Sequence, residues 1–333
     1  MKLVTFRSGK KEKIGVVVGA DDSTPAAGLV ADVAKIHRFL RSGKAPEKLR
    51  GAAAFGQAQE TFLSGRTAPA DMIALLEAGP EWRRALGRVV DALAASAEEI
   101  EEVKSLFRPL RRTKFKAPVP RPRKIIAVGL NYRAHAAEQG GNPPEKPMFF
   151  GFFANTVIGA GENIEIPPNS DQVDWEAELA VIIGRGGRRI SEEQAMDHVA
   201  GYTCFQDVSA RDMQFSDKQF FRGKGCDTFA PMGPWLVTTD EIPDPHSLDI
   251  SLRVNRKVMQ SSNTSDLIFP IPFLISYLSQ SLTWEAGDVL STGTPGGVGV
   301  FRDPPQFLKP GDKTSVIIEK IGTLTNRVIG PAS

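Results

Sequence analysis

Asp174-Trp175-Glu176-Ala177-Glu178-Leu179-Ala180-Val181-Ile182-Ile183 ends in an apolar, β-branched run with the composition of a buried strand. On a strand, residues two apart point to one face, so Glu176 and Glu178 present their carboxylates side by side. Like charges at that spacing repel, so one must take a proton or something must hold both ionised. A hard divalent cation with oxygen ligands suits a carboxylate pair in a cleft. Asp207, in Phe205-Gln206-Asp207-Val208-Ser209-Ala210-Arg211-Asp212, offers a third ligand. Taken alone, two glutamates spaced this way are equally explained by solvated acids on an exposed strand, because the motif is common.

Composition narrows the class. A chain of 333 residues can bury a large core and suggests two domains, or one large domain with an appendage. A net charge of +2 gives no reason to expect nucleic acid or an anionic membrane surface as partner. No apolar run reaches transmembrane length. The opening Met1-Lys2-Leu3-Val4-Thr5-Phe6-Arg7 lacks the apolar core of a signal peptide. The two cysteines, Cys204 and Cys226, fit neither a disulfide framework nor a zinc cluster. Together these features suggest a reducing, cytoplasmic setting.

Residues 1–117 read as an N-terminal accessory domain and 118–333 as the main one. Residues 2–6 and 14–18 have strand composition, and residues 30–33 suit a strand or the start of a helix. Asp71 is a good N-cap for one helix. Trp82, Leu86, Val89 and Leu93 recur at helical spacing and predict a second helix over 81–104, its glutamate run a solvated end. Residues 108–124 are basic and broken by prolines, which predicts an extended connector.

In the main domain, Lys124-Ile125-Ile126-Ala127-Val128-Gly129 predicts a buried strand. A short helical stretch follows, Arg133-Ala134-His135-Ala136-Ala137-Glu138-Gln139. His135 and Glu138 are three apart and share a helix face. A carboxylate that holds an imidazole fixes its tautomer and raises its basicity, as a general base for water requires; a surface ion pair is the plainer reading. Gly140-Gly141-Asn142 reads as a hinge, and Phe149, Phe150, Phe152 and Phe153 as core or an apolar pocket wall. Gly184-Arg185-Gly186-Gly187-Arg188-Arg189 has arginine where a dinucleotide fingerprint needs its third glycine. Ser191 is expected to cap a helix ending near His198. Arg211 and Gln214 follow Asp207 by four and seven residues and share a face with it on a helical turn; Arg211 could fork onto a substrate carboxylate. Lys224, flanked by glycines, can act as a point charge, and the loop after Thr292 can hold a carboxylate through backbone amides and Thr294.

These segments, in order, resemble the fumarylacetoacetate hydrolase family. The likeness rests on Val128-Gly129-Leu130-Asn131-Tyr132 with His135 and Glu138, Asp174-Trp175-Glu176 with Glu178 and Leu179, and Gly201-Tyr202-Thr203 through Asp212. Gly223-Lys224 and Thr292-Gly293-Thr294-Pro295 complete it. The resemblance implies an α+β, β-rich architecture: a mixed β-roll catalytic domain, usually homodimeric, preceded by a small α+β domain. It implies Glu176, Glu178 and Asp207 as ligands of Mg2+, with Mn2+ or Ca2+ as substitutes. It implies a catalytic His135–Glu138 dyad on a lid, with Lys224 assisting. Arg211, Gln214, Thr294 and Tyr132 would contact a small keto-acid substrate. One departure stands out: where many members carry a lysine after the lid, Phe150-Gly151-Phe152 places an aromatic.

The reaction this implies is hydrolysis of a carbon–carbon bond in an acylpyruvate-like 1,3-dicarbonyl acid, as in aromatic-compound catabolism. Water activated by His135 would attack, and an enolate would leave. Decarboxylation, isomerisation or dehydration of a 2-oxo acid uses the same kind of site, and fold alone does not choose among them. A non-catalytic binding protein would have no use for a general base, and a nicotinamide dehydrogenase would need the missing glycine.

Overall fold

The computed structural model describes residues 1–20, 28–50, 52–65 and 67–331. The chain divides into two compact units, Met1–Lys116 and Ala117–Ser333. In the first, Lys2–Ser8 pairs antiparallel with Lys11–Val18, which pairs with Leu29–Asp32, which pairs with Phe107–Pro109. Helices cover this unit. Asp32 caps Val33–Arg41, and Asp71 caps Met72–Glu77 by accepting from Ala74 N at 2.9 Å.

Two expectations for this unit are corrected. The helix expected over 81–104 is Gly79–Ala94, followed by a separate turn of helix at Glu101–Lys104. Continued helix would set Glu98 over Glu102, and like charges four apart oppose that register. The first half of the expected connector is also not free. Phe107–Pro109 lies on the sheet, Leu110–Arg112 forms a 3-10 turn, and Lys114–Phe115 pairs with Arg7 and Phe6. Proline excludes α-helix there but is tolerated at the end of an edge strand.

Among the described residues the second unit is β-rich and holds two main sheets and a short pair, Val173–Asp174 with Ser209–Ala210. The larger runs Ala230–Thr238, Val199–Gln206, Ala177–Ile183, Val289–Ser291, Ile125–Gly129, Met148–Phe152. Its pairs are antiparallel except Val289–Ser291 with Ile125–Gly129. The smaller sheet runs Lys257–Asn263, Asp249–Val254, Lys313–Ile318, Gly322–Ile329, Asn163–Glu165. Among the described residues neither sheet closes into a barrel. Ala177–Ile183 and Val199–Gln206 are buried at every position, which is why both faces of the first are apolar beyond its acids. The helix expected after Ser191 is only a 3-10 turn, Ala195–His198, its hydrogen bonds spanning three residues. The chain must enter the next strand at Val199, which leaves no room for a full helix and a turn.

One buried side chain positions the segment that carries the histidine. After Ile125–Gly129 the backbone turns through Leu130 at φ 56°. Asn131, fully buried, then donates through Nδ2 to Thr292 O at 2.8 Å and Phe269 O at 3.1 Å, and accepts from Phe269 N at 2.8 Å. The helix Arg133–Glu138 starts two residues later. Asn131→Ala removes the donor to the buried Thr292 carbonyl and both bonds to the half-buried Phe269 backbone. It should lower stability by about 3 kcal/mol, read as a reduced midpoint in urea. An unchanged midpoint would show that the clamp is dispensable.

Candidate active site

Glu176 ends the approach to Ala177–Ile183, Glu178 lies within that strand, and Asp207 directly follows Val199–Gln206, its neighbour. The pairing of Ala177 with Gln206 therefore brings all three acids to the same end of the sheet. Each offers an oxygen within 4.8 Å of the others, and all three are buried.

Two cations answer them. Lys224 Nζ lies 2.9 Å from Glu176 Oε2, 2.6 Å from Asp207 Oδ1 and 2.9 Å from Ser209 Oγ. Arg211 Nη2 donates to Glu176 Oε1 at 2.6 Å, Nε to Asp174 Oδ2 at 3.0 Å, and Nη1 to Gln214 Oε1 at 2.9 Å. Asp174 is the residue that sequence reading missed. It is fully buried and also accepts from Trp175 N, Gly299 N and Val300 N. Its only signal in the sequence was its place at the head of the strand motif.

The electrostatics follow. Burial alone would raise Glu176, but Lys224 and then Arg211 pull it down to about 2. Glu178 is pushed well up by burial and by the charges of Asp207 and Glu176, despite hydrogen bonds from Ser291 Oγ and Gly293 N. Asp207 is pushed up to about 7 by burial, which the Lys224 charge offsets only in part. Asp174, Glu176, Glu178 and Asp207 stand against Lys224 and Arg211, so full ionisation leaves two negative charges in excess. Asp207 Oδ2 has no hydrogen-bond partner among the described residues. Three buried carboxylates, an unpartnered oxygen and an excess of two charges fit a divalent, oxygen-seeking cation.

His135 is buried, not on a surface, with Nδ1 3.1 Å from Glu138 Oε2 and Nε2 3.0 Å from Gln139 Nε2. The amide nitrogen of Gln139 can only donate, so Nε2 is the acceptor and Nδ1–H points to Glu138. Glu138 Oε1 in turn accepts from Gly297 N at 2.9 Å. His135, Gln139, Glu176, Glu178, Arg211, Gln214, Lys224 and Thr294 line one cavity.

Three expected substrate contacts are altered by the fold. Every nitrogen of the Arg211 guanidinium is engaged by protein, so its fork meets Asp174 and Glu176 rather than a free carboxylate. The helix Arg211–Asp217 starts after Asp207, which therefore does not share its face. The Thr294 hydroxyl donates to Ala177 O and accepts from Gln260 Nε2. Tyr132 is fully buried outside the cavity lining, its backbone bridged to Leu267.

The pattern described as fumarylacetoacetate (FAA) hydrolase C-terminal matches residues 124–329. The chain belongs to the fumarylacetoacetate hydrolase family. Within this family of enzymes, the Bos taurus protein named oxaloacetate tautomerase FAHD2A, mitochondrial, is 46% identical over 265 residues, 79% of this chain and 81% of that one. Oxaloacetate tautomerase YisK of Bacillus subtilis is 48% identical over 232 residues, 68% of this chain and 77% of that one. The crystal structure of maleylpyruvate hydrolase from Sphingobium sp. SYK-6, in complex with manganese(II) and pyruvate, matches with a TM-score of 0.69. It is 29% identical and covers 100% of each chain. The acids and the histidine of this chain lie inside the matched residues.

Glu178→Ala should weaken Mn2+ binding by roughly 100-fold or more, beyond the 10–100-fold usual for groups that only support a ligand. Calorimetric titration measures this, and unchanged affinity would count against the site. The raised carboxyl of Asp207 adds a pH dependence. Below about 7 it carries a proton that an incoming cation must displace, so affinity should rise with pH through that value. The released proton appears as a dependence of the binding heat on the buffer's ionisation enthalpy.

Proposed function

We propose that the protein catalyses keto–enol interconversion of a small 2-oxo acid, with a divalent cation held by Glu176, Glu178 and Asp207. The observation that carries this reading is His135. It is the one imidazole lining the cavity among the described residues, and its two neighbours give it a defined lone pair at Nε2. Tautomerisation moves a proton between the carbon next to the carbonyl and the carbonyl oxygen, which needs a group that takes it from one and delivers it to the other. The names of the two relatives at 46% and 48% identity support the same reaction class.

When bound, the cation supplies positive charge beside the oxygen that becomes negative as the carbon loses its proton. The protein's own groups do the rest. His135 Nε2 accepts the proton, with Gln139 marking the direction of the lone pair. Glu138, anchored by Gly297 N, holds the ring and offsets the charge of the imidazolium. Lys224 and Arg211 keep Glu176 ionised, and the buried setting excludes bulk water.

Hydrolysis of a carbon–carbon bond in an acylpyruvate-like acid is the second reading. The likeness to maleylpyruvate hydrolase favours it. It asks more of the cavity, namely a positioned water and a proton donor for the departing carbon.

His135→Ala removes the proton acceptor and leaves the three carboxylates. It should lower kcat by roughly a hundredfold to ten-thousandfold while Mn2+ affinity stays near wild type. Glu138→Gln keeps the shape but not the charge and should fall less. The assay follows loss of enol absorbance from a 2-oxo acid. Wild-type rates in His135→Ala would remove the histidine from the reaction, and release of two carbon fragments would favour hydrolysis.

A further inference from the structure

We infer that the cavity is built for a 2-oxo monocarboxylic acid whose distal group is neutral and apolar, and against a second carboxylate. The inference takes the 2-oxo acid from the function proposed above and goes on to its far end.

A dicarboxylate such as oxaloacetate brings two negative charges. One carboxylate, with the adjacent carbonyl, is suited to a divalent cation at the acid cluster. The other needs a free cation or a row of free N–H groups. Among the described residues that line the cavity, the cationic side chains are Arg211 and Lys224, and both are ion-paired with buried carboxylates. Arg211 is engaged at all three nitrogens. Lys224 meets Glu176, Asp207 and Ser209, and the Phe150 ring lies over it with the centroid 4.9 Å from Nζ. The ring shields the ammonium while the three oxygens hold it from other sides.

Four backbone donors of the adjoining loop are engaged as well. Gly293 N faces Glu178, Gly297 N faces Glu138, and Gly299 N and Val300 N face Asp174. Beside the acids, His135, Gln139, Gln214 and Thr294, the lining has an apolar wall of Val128, Met148, Phe150, Phe215, Phe220 and Phe301. A carboxylate against these rings would lose water without gaining a partner, whereas an alkyl or aryl group would be drawn in.

Two 2-oxo acids that cannot enolise separate this inference from the reaction. Trimethylpyruvate has an apolar distal group, and oxomalonate a second carboxylate. Their binding to the full-length protein with saturating Mn2+ is measured by calorimetry. Trimethylpyruvate should bind at least about tenfold more tightly. Phe215 is 51% exposed at the rim, so Phe215→Lys can place a free cation there without removing core volume. That variant should shrink the preference about fivefold or more, with its fold checked by circular dichroism. Equal or tighter binding of oxomalonate to the wild type overturns the inference. So does failure of trimethylpyruvate to bind, or an unchanged preference in a folded Phe215→Lys protein. If the binding preference holds but no enolisable 2-oxo acid is tautomerised, the reaction proposed above fails and the preference stands.

Discussion

Too many carboxylates in too small a buried volume is the constraint on which the rest of this site depends. Asp174, Glu176, Glu178 and Asp207 are all shielded from water, and among the described residues Lys224 and Arg211 are the cations ion-paired with them. A charge removed from water must find a partner or take a proton. The cluster does both. Glu176, clasped by two cations, stays ionised, while Glu178 and Asp207 are pushed towards the protonated form. A divalent cation can replace protons here, because it supplies the two positive charges that the protein withholds. The same demand explains why Arg211 is ion-paired within its own chain.

The histidine and the acids share a support. The loop after Val289–Ser291 gives Gly293 N to Glu178, Gly297 N to Glu138, and Gly299 N and Val300 N to Asp174. Glycine is required at two of these points by space. A Cβ on Gly293 would lie 2.8 Å from Asn131 Cβ, with the backbone at φ +100°. A Cβ on Gly299 would lie 2.0 Å from Gln306 O. One loop thus holds both the orientation of the proton acceptor and the geometry of the acid cluster. A change in the loop would reach both functions, even though their residues are far apart in the chain.

Much of this was legible in the sequence for a simple reason: it depends on periodicity. Alternation along Ala177–Ile183 puts Glu176 and Glu178 on one side, and a three-residue step puts His135 beside Glu138. What failed were readings that needed to know what else was nearby. Arg211 looked free to grip a substrate, but Asp174, 37 residues away, meets it through the pairing of Asp174 with Ser209. The Thr294 hydroxyl looked available until Gln260 arrived from another sheet. The glutamate-rich end of the expected long helix shows the same limit in local form, because its stripe was right and its length was not.

The sequence by itself determined the local chemistry: which acids share a strand face, which carboxylate holds the imidazole, and that a β-rich, fumarylacetoacetate hydrolase-like domain carries them. These follow from the spacing of residues on one strand or helix, which the backbone geometry converts directly into proximity. Only the tertiary structure decided which charges remain free. Whether Arg211 and Lys224 face a ligand or face Asp174, Glu176 and Asp207 depends on strand register and loop closure across more than a hundred residues. Charge compensation in a buried site is a property of everything that converges there, and no single stretch of sequence contains it.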